Sequence, residues 1–449
     1  MKRTIVFLFI LTSLSGLAQE KEYTLQQCID QALDTNAKVK NATIDLGIVE
    51  NDTKELKSKV LPHVEADANL MHNFNIQKIV LENGAIPAFT DPTIPSGEVI
   101  AFQLQLKNSL TASLNASQVI FDKSLFESFK ATDLKKELGD QSLEKEKIDV
   151  VVGVTKAYYS VLISQQQLEF LESNLDRIET VYADAEAKLK SGLVRPIDVN
   201  RIEVALNNIK DEEQTAQQNV ALSKAALGYL MHNNAPDNIQ LSGTLDESVL
   251  YEQGGDDNAV NYSDRVEYNM LETQQKLNEQ SLLIHKGMFY PRLSAFATTG
   301  VNPAATNLGD IFQSDRYFNY SYVGLRLQVP IFNGMEKTYQ SGTLKLQKEK
   351  IQNNLDEAQQ FIDNQVEQAD IRFNKSLQSI KLQKRNLELA EENVKSIKFE
   401  NEHGVANTIE VVDAETDLRL AQNKYYNALY QAVTAKIDLE KAKGAIRNY

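Results

Sequence analysis

Apolar and polar residues alternate along four short segments of the chain. In the longest, one face is apolar and the other carries Gln, Lys, Ser, Thr and Asn, and only Asn108 breaks the pattern. Because successive side chains of a strand point to opposite faces, such alternation predicts strands with one apolar and one polar surface. The pattern is weakest in the third segment, where Phe296 interrupts the polar face. We predict strands over about 64–76, 102–117, 292–301 and 320–332.

Long helix-forming stretches flank both pairs of strands. They cover residues 24–59, 125–190 and 196–232 in the first half, and 264–289, 336–402 and 408–447 in the second. In each half, the two shorter stretches together match the length of the long one. We therefore predict two short helices stacked end to end beside each long helix, which at ~1.5 Å per residue would extend roughly 100 Å.

Three short motifs of the first half recur in the same order in the second half. They are Leu61–Val64 with Tyr290–Leu293, Val119–Asp122 with Pro330–Asn333, and Gly192–Val199 with Gly404–Val411. Ordered self-similarity indicates internal duplication. We predict two repeats, about 19–232 and 262–449, joined by a linker over 233–261 at the waist of the molecule.

Composition adds targeting information and excludes several functions. Residues 1–18 resemble a secretory signal, with Lys2 and Arg3 before a short apolar run. Cys28 is the only cysteine, so no internal disulfide is expected. With 62 acidic against 47 basic residues, the chain is a poor candidate for binding nucleic acid.

A catalytic or metal-binding function finds little support in the sequence. The five histidines are scattered without metal-ligand spacing, and no glycine-rich phosphate loop is present. We therefore expect no enzyme activity, metal or cofactor. The histidines are His63, His72, His232, His285 and His403.

Four membrane strands are too few for a barrel, because every backbone polar group in lipid must be paired and single-chain barrels begin at eight strands. Two copies of this chain would supply eight strands and three would supply twelve. The polar inner face favours the larger assembly, which can hold a water-filled lumen. The predicted fold class is mainly α with transmembrane β.

These features resemble the TolC-type outer-membrane efflux proteins, also called outer membrane factors. The motifs that carry the resemblance are Leu25–Leu33, the two proline-containing strand starts, Val329–Gly334 and the two glycine turns with a following acid. The resemblance implies a homotrimer with a shared twelve-stranded barrel in the outer membrane of a Gram-negative bacterium and an α-helical tunnel in the periplasm. It also implies a passive exit duct of a tripartite efflux or type I secretion system, docked to a periplasmic adaptor and an inner-membrane pump of the RND or ABC type.

In this family the turns between long and short helices form the periplasmic entrance. The matching positions here, expected to serve adaptor docking and gating, are Gly192, Leu193, Asp198, Gly404 and Val405. A tyrosine and an arginine help to close the entrance of the best-known member. Their positions are occupied here by Asn401 and Ala406, which cannot make the same contacts.

Acids that follow the second turn are expected to ring the pore, and they are Glu410, Asp413 and Asp417. Asp198 and Glu410 also have a simpler explanation, because an acid in the first turn of a helix stabilises its dipole by about 0.3–1 kcal/mol. Asp413 lies beyond that turn and is the better ring candidate. The alternative function is a periplasmic adaptor, which also uses long helical hairpins.

Overall fold

The computed structural model describes residues 22–103, 105–233, 236–251, 260–313, 315 and 317–446. The predicted signal peptide, 1–18, and residues 234–235 and 252–259 of the predicted linker lie outside this part of the chain. Contacts divide the chain into two units. The first contains the residues up to Leu46, Leu138–Thr273 and the residues from Gln352 onward, and the second contains Gly47–Glu137 and Gln274–Ile351.

The longer helices occupy the stretches that the sequence predicted, and the short helix α5 lies in the predicted linker. The helices are α1 Leu25–Thr35, α2 Ala37–Ser58, α3 Lys123–Lys190, α4 Pro196–Leu230, α5 Ser248–Tyr251, α6 Val266–Gly287, α7 Glu336–Glu402 and α8 Thr408–Lys443. The predicted helix over 24–59 is interrupted at Asn36, which has an extended backbone. Among the described residues, no helix is both long and apolar enough to cross a membrane.

The strands of the described residues form three separate groups. The strands are β1 Glu22–Tyr23, β2 His63–His72, β3 Lys78–Glu82, β4 Val99–Gln103, β5 Asn108–Phe121, β6 Gln240–Leu241, β7 Arg292–Val301, β8 Ala304–Ala305 and β9 Asn319–Gln328. The main sheet has the antiparallel order β2-β5-β7-β9, and β8 pairs with the start of β5. Strands β3 and β4 form a hairpin of their own, and β1 pairs with β6.

The register of the main sheet puts the apolar residues of all four strands on one face. Val64 pairs with Ala116, Ala116 with Ala297, and Ala297 with Val323. This face is open: Val323 is 83% exposed and Leu325 is 67% exposed. An exposed apolar face of this extent is typical of an interaction surface or a membrane contact.

The predicted strand over 102–117 is wrong at its start. Phe102 belongs to β4, and strand β5 begins at Asn108 and continues to Phe121. Asn108 is almost fully buried, donates from Nδ2 to the Thr306 carbonyl (2.8 Å) and lies 2.6 Å from His72 Nδ1 through its Oδ1. Asn108, which broke the alternation, thus binds the loop beyond β7 to the end of β2 and the start of β5.

Two other predicted strands extend too far. The strand over 64–76 ends at His72, where its pairing with β5 ends at Asn108, and Phe74 is 88% exposed beyond it. The strand over 320–332 ends at Gln328, because Pro330 has no backbone N–H to donate to a ladder. The strand over 292–301 coincides with β7.

Phe296, the apolar residue on the polar face, covers a glycine of the neighbouring strand. It pairs with Gly324, and a Cβ added at Gly324 would lie 2.7 Å from the Phe296 ring. Arg326 lies over the same ring, with its guanidinium carbon 5.2 Å from the ring centroid. The ring therefore packs between a glycine and a cation, which explains its place on a polar surface.

The first unit is held by an apolar cluster that joins the middle of α3 to α1, α4 and α8. Its fully buried members include Val154, Val161, Leu227 and Leu429. Cys28 lies in the same cluster, and burial raises the pKa of its thiol to about 12. A thiol in this environment is inert.

The short helices of each half meet end to end. Thr35 Oγ, at the end of α1, donates to the Met231 carbonyl that follows α4 (2.9 Å). In the second half, buried Arg265 donates from Nη1 to the Ala442 carbonyl in the last turn of α8 (2.8 Å). A cation at this position also complements the helix dipole.

In the second unit, hydrogen bonds fasten the ends of the strands to the helices. Asp122 caps α3 through the Ser124 N–H (2.9 Å), and its other oxygen lies 3.3 Å from Arg292 Nε at the start of β7. One turn later, Glu127 is bound by Lys123 and Gln280, and these hydrogen bonds lower the pKa of its carboxyl to about 2. The strand-to-helix transitions are thus defined by paired charges.

Candidate channel entrance

The two predicted turns, between α3 and α4 and between α7 and α8, have the same backbone geometry where the long helix ends. Gly192 (φ 73°) follows α3 and Gly404 (φ 75°) follows α7. The next N–H reaches back to the last turn, from Leu193 to the Lys188 carbonyl (2.9 Å) and from Val405 to the Glu400 carbonyl (2.8 Å). This Schellman geometry needs a left-handed residue, which explains the glycine in both turns.

The first turn is closed by a two-pronged ion pair. Arg195 donates from Nε and Nη2 to the two carboxylate oxygens of Asp198, both at 2.9 Å. The hydrogen bonds from Arg195 lower the pKa of Asp198, whose first-turn position was predicted from the sequence. Leu193 is 75% exposed at the end of the turn. Asp198 therefore acts on its own turn, and Leu193 is presented to solvent.

The second turn is closed by amide side chains instead of an ion pair. Asn407 Oδ1 accepts from the Glu410 N–H (2.9 Å), and its Nδ2 donates to the Glu410 carboxylate (2.7 Å). Asn401 Nδ2 donates to the Ala406 carbonyl (2.9 Å) across the turn. Asn401 and Ala406 thus bond to each other across the turn, and Val405 remains 77% exposed.

Asp413 and Asp417 lie on the exposed face of α8, one turn and two turns beyond Glu410. Val412 and Ala414 beside them are buried against the neighbouring helices. Within the part of the chain that the structure describes, neither Asp413 nor Asp417 takes part in a hydrogen bond or ion pair. Their carboxylates are therefore available to solvent ions, whereas Glu410 is engaged in capping α8.

A buried carboxylate on the opposite face of α8 links three helices. Glu415, with 8% of its side chain exposed, contacts Arg177 Nε of α3 (3.0 Å) and Lys398 Nζ of α7 (2.5 Å). We call Glu415, Arg177 and Lys398 the interhelix clamp. The clamp joins the first helical hairpin, α3–α4, to the second, α7–α8. Lys398 lies about one turn from the end of α7, and Arg177 lies about four turns from the end of α3.

Further polar contacts surround the interhelix clamp. Arg177 also donates to Asn174, which donates to Gln422 of α8 (3.4 Å), and Arg419 of α8 pairs with Glu212 of α4. The sequence did not predict the interhelix clamp, because its members are up to 238 positions apart. One feature of the sequence marked Glu415 as unusual. It is a charged residue on the apolar face of α8, between Val411 and Leu418.

Comparison with known proteins shows the family of the chain. The family model described as "Outer membrane efflux protein" matches residues 28–231 and 269–445. The outer membrane protein TolC of Escherichia coli is 21% identical over 452 residues, covering 97% of this chain and 85% of TolC. The alkaline protease secretion protein AprF of Pseudomonas aeruginosa is 21% identical over 337 residues, covering 73% of this chain and 68% of AprF.

A solved structure shows the same fold. The outer membrane protein VceC of Vibrio cholerae superposes with a TM-score of 0.69 at 15% identity, covering 94% of this chain and 96% of VceC. The fold and the family match thus define an outer-membrane channel protomer. The chain belongs to the outer membrane efflux protein family. It is an exit duct of the outer membrane, and the adaptor alternative is wrong.

Proposed function

We propose that three copies of this chain form one duct, with a shared twelve-stranded barrel and a helical tunnel in the periplasm. The observation that carries the proposal is the four-stranded main sheet, which has one exposed apolar face and a second, polar face. Lipid suits the first face and a water-filled lumen suits the second. Because a lone four-stranded sheet leaves backbone groups unpaired at both edges, lipid favours closure by further copies.

Assembly can be tested on the detergent-extracted protein. We expect a native mass of three chains, and an oligomer in dodecyl sulfate that dissociates to monomers only on heating. A monomeric mass in every mild detergent would contradict the trimer.

We further propose that the hairpin tips dock a periplasmic adaptor and, through it, an inner-membrane pump of the RND or ABC type. Leu193 and Val405 support this, because an apolar side chain at a turn gains by burial against a partner. The relatives support it too, since AprF is named as a secretion protein and the family as efflux proteins. The duct itself is passive, and the pump selects the cargo.

Asp413 is proposed as the main acid of a pore ring, with Asp417 and Glu410 beside it. Threefold symmetry would bring three copies of Asp413 together, and closely spaced carboxylates attract cations. We expect Asp413→Asn to weaken block of single channels by a multivalent cation at least tenfold in planar bilayers. Asp211→Asn, at an exposed acid of α4, is the matched control and should leave the block unchanged. Equal block in the wild-type protein and Asp413→Asn would contradict the ring.

A further inference from the structure

The two edge strands of the main sheet are matched in length and direction. Strand β2 is paired only with β5, and β9 only with β7, among the described residues. Each has ten residues. Since β2, β5, β7 and β9 are successively antiparallel, β2 and β9 run in opposite directions. The β9 edge of one copy can therefore pair with the β2 edge of the next as an antiparallel ladder.

The two faces of the sheet restrict the register of that ladder. A slip by one residue would bring the apolar face of one strand against the polar face of the other. Only slips by an even number of residues keep the apolar faces of the two strands on one side of the sheet and their polar faces on the other. Among these, one register pairs all ten residues of both strands, from Gln328 opposite His63 to Asn319 opposite His72. We call it the full-overlap register.

The full-overlap register also brings opposite charges together. Leu325 and Leu327 then lie opposite Ala66 and Val64 on the apolar face. Between them, on the polar face, Arg326 lies directly opposite Glu65. Opposite-charge pairs directly across an antiparallel ladder stabilise it.

Both charges are available for this contact. Arg326 contacts the Phe296 ring, but among the described residues it makes no ion pair, and Glu65 makes no hydrogen bond or ion pair. Asp67, the acid reached by a slip of two residues, already accepts from Asn115 Nδ2 (2.7 Å). Of the two acids, Glu65 is therefore the one available to Arg326.

We infer that a second copy of this chain seats its β2 edge on β9 in the full-overlap register, with Arg326 paired to Glu65 of that copy. The inference rests on the proposed trimer and specifies its interface. Arg326 then serves two contacts, stacking on Phe296 of its own chain and binding the neighbouring carboxylate. The pair fixes the register from the lumen side of the sheet.

Cysteine cross-linking tests the register. Residues directly opposite in an antiparallel ladder have Cα atoms about 4.5–5.5 Å apart, within the range of a disulfide. Within one chain β2 and β9 are separated by two strands, about 14 Å at the usual strand spacing, so a cross-link must join two copies. Cys28 is fully buried and should not interfere.

We expect Glu65→Cys with Arg326→Cys, in the full-length protein under a mild oxidant, to give covalent dimers and trimers after denaturation. The offset pairs His63→Cys with Arg326→Cys and Asp67→Cys with Arg326→Cys are the matched controls and should give at least tenfold less. If an offset pair cross-links best in a protein of trimeric mass, the register is wrong and the trimer stands. If no pair cross-links and the mass is monomeric, both proposals are wrong.

Charge reversal gives a second test. Glu65→Arg and Arg326→Glu should each lower the temperature at which the oligomer dissociates in dodecyl sulfate by several degrees. The double variant should recover most of that loss, because the pair is restored with exchanged signs. Additive losses in the double variant would overturn the Arg326–Glu65 contact.

Discussion

Replacing Glu415 by glutamine is expected to loosen the channel entrance. The variant keeps the shape of the side chain but leaves Arg177 and Lys398 without their shared counter-ion. Hydrogen bonds to charged groups contribute about 1.5–3 kcal/mol each, and removing one partner of a buried pair costs more than the pair contributes. Both cations are about a third exposed, so water compensates part of the loss. We expect a loss of about 1–3 kcal/mol in the free energy of unfolding.

The functional consequence follows from the position of the clamp. Because it joins α3 to α7 and α8, its loss should let the two hairpins separate, and single-channel conductance should rise. Glu392→Gln, at an exposed acid of α7 that makes no ion pair within the described residues, is the control. Unchanged melting temperature and conductance in Glu415→Gln would show that the clamp does not hold the entrance.

Replacing Gly444 by alanine is expected to separate the ends of α8 and α6. Gly444 caps α8 at φ 72°, a conformation that costs an L-residue about 1–2 kcal/mol. An added Cβ would also clash with the Asp264 carbonyl oxygen, and crowding of this kind adds about 1–3 kcal/mol. Both terms lower the free energy of unfolding, so a clear fall in the melting temperature is expected.

The chain offers a matched control for this substitution. Gly404 has nearly the same backbone conformation, φ 75°, but apart from its two chain neighbours no atom of the described residues lies within 4 Å of an added Cβ. Gly404→Ala should therefore show the backbone cost alone, with a smaller fall in melting temperature. Equal shifts in the two variants would mean that the contact with Asp264 contributes nothing to stability.

Local patterns in the sequence predicted elements but not their ends. Strand β7 was predicted over its full length, because alternation and pairing coincide there. Strand β5 was placed six residues early at its start, since the alternation from Phe102 onward continues through a break in the ladder. Alternation describes which face a side chain occupies. Pairing decides whether the backbone is in a sheet.

Residues that broke a pattern proved the most informative ones. Asn108 and Phe296 interrupt the alternation of their strands, and Glu415 interrupts the apolar face of α8. Each has its partner far away along the chain: Thr306 for Asn108, Gly324 for Phe296, and Arg177 for Glu415. Sequence periodicity is local, so it marks such positions without showing what they bind.

The sequence by itself determined the helices, the faces of the strands and the glycine turns, because these depend on side-chain period and on backbone freedom within a few residues. Only the tertiary structure decided where the strands end, how Asn108 anchors a loop and how Glu415 joins the hairpins. Those features depend on hydrogen bonds and ion pairs between residues up to 238 positions apart, which form only when folding brings their elements together.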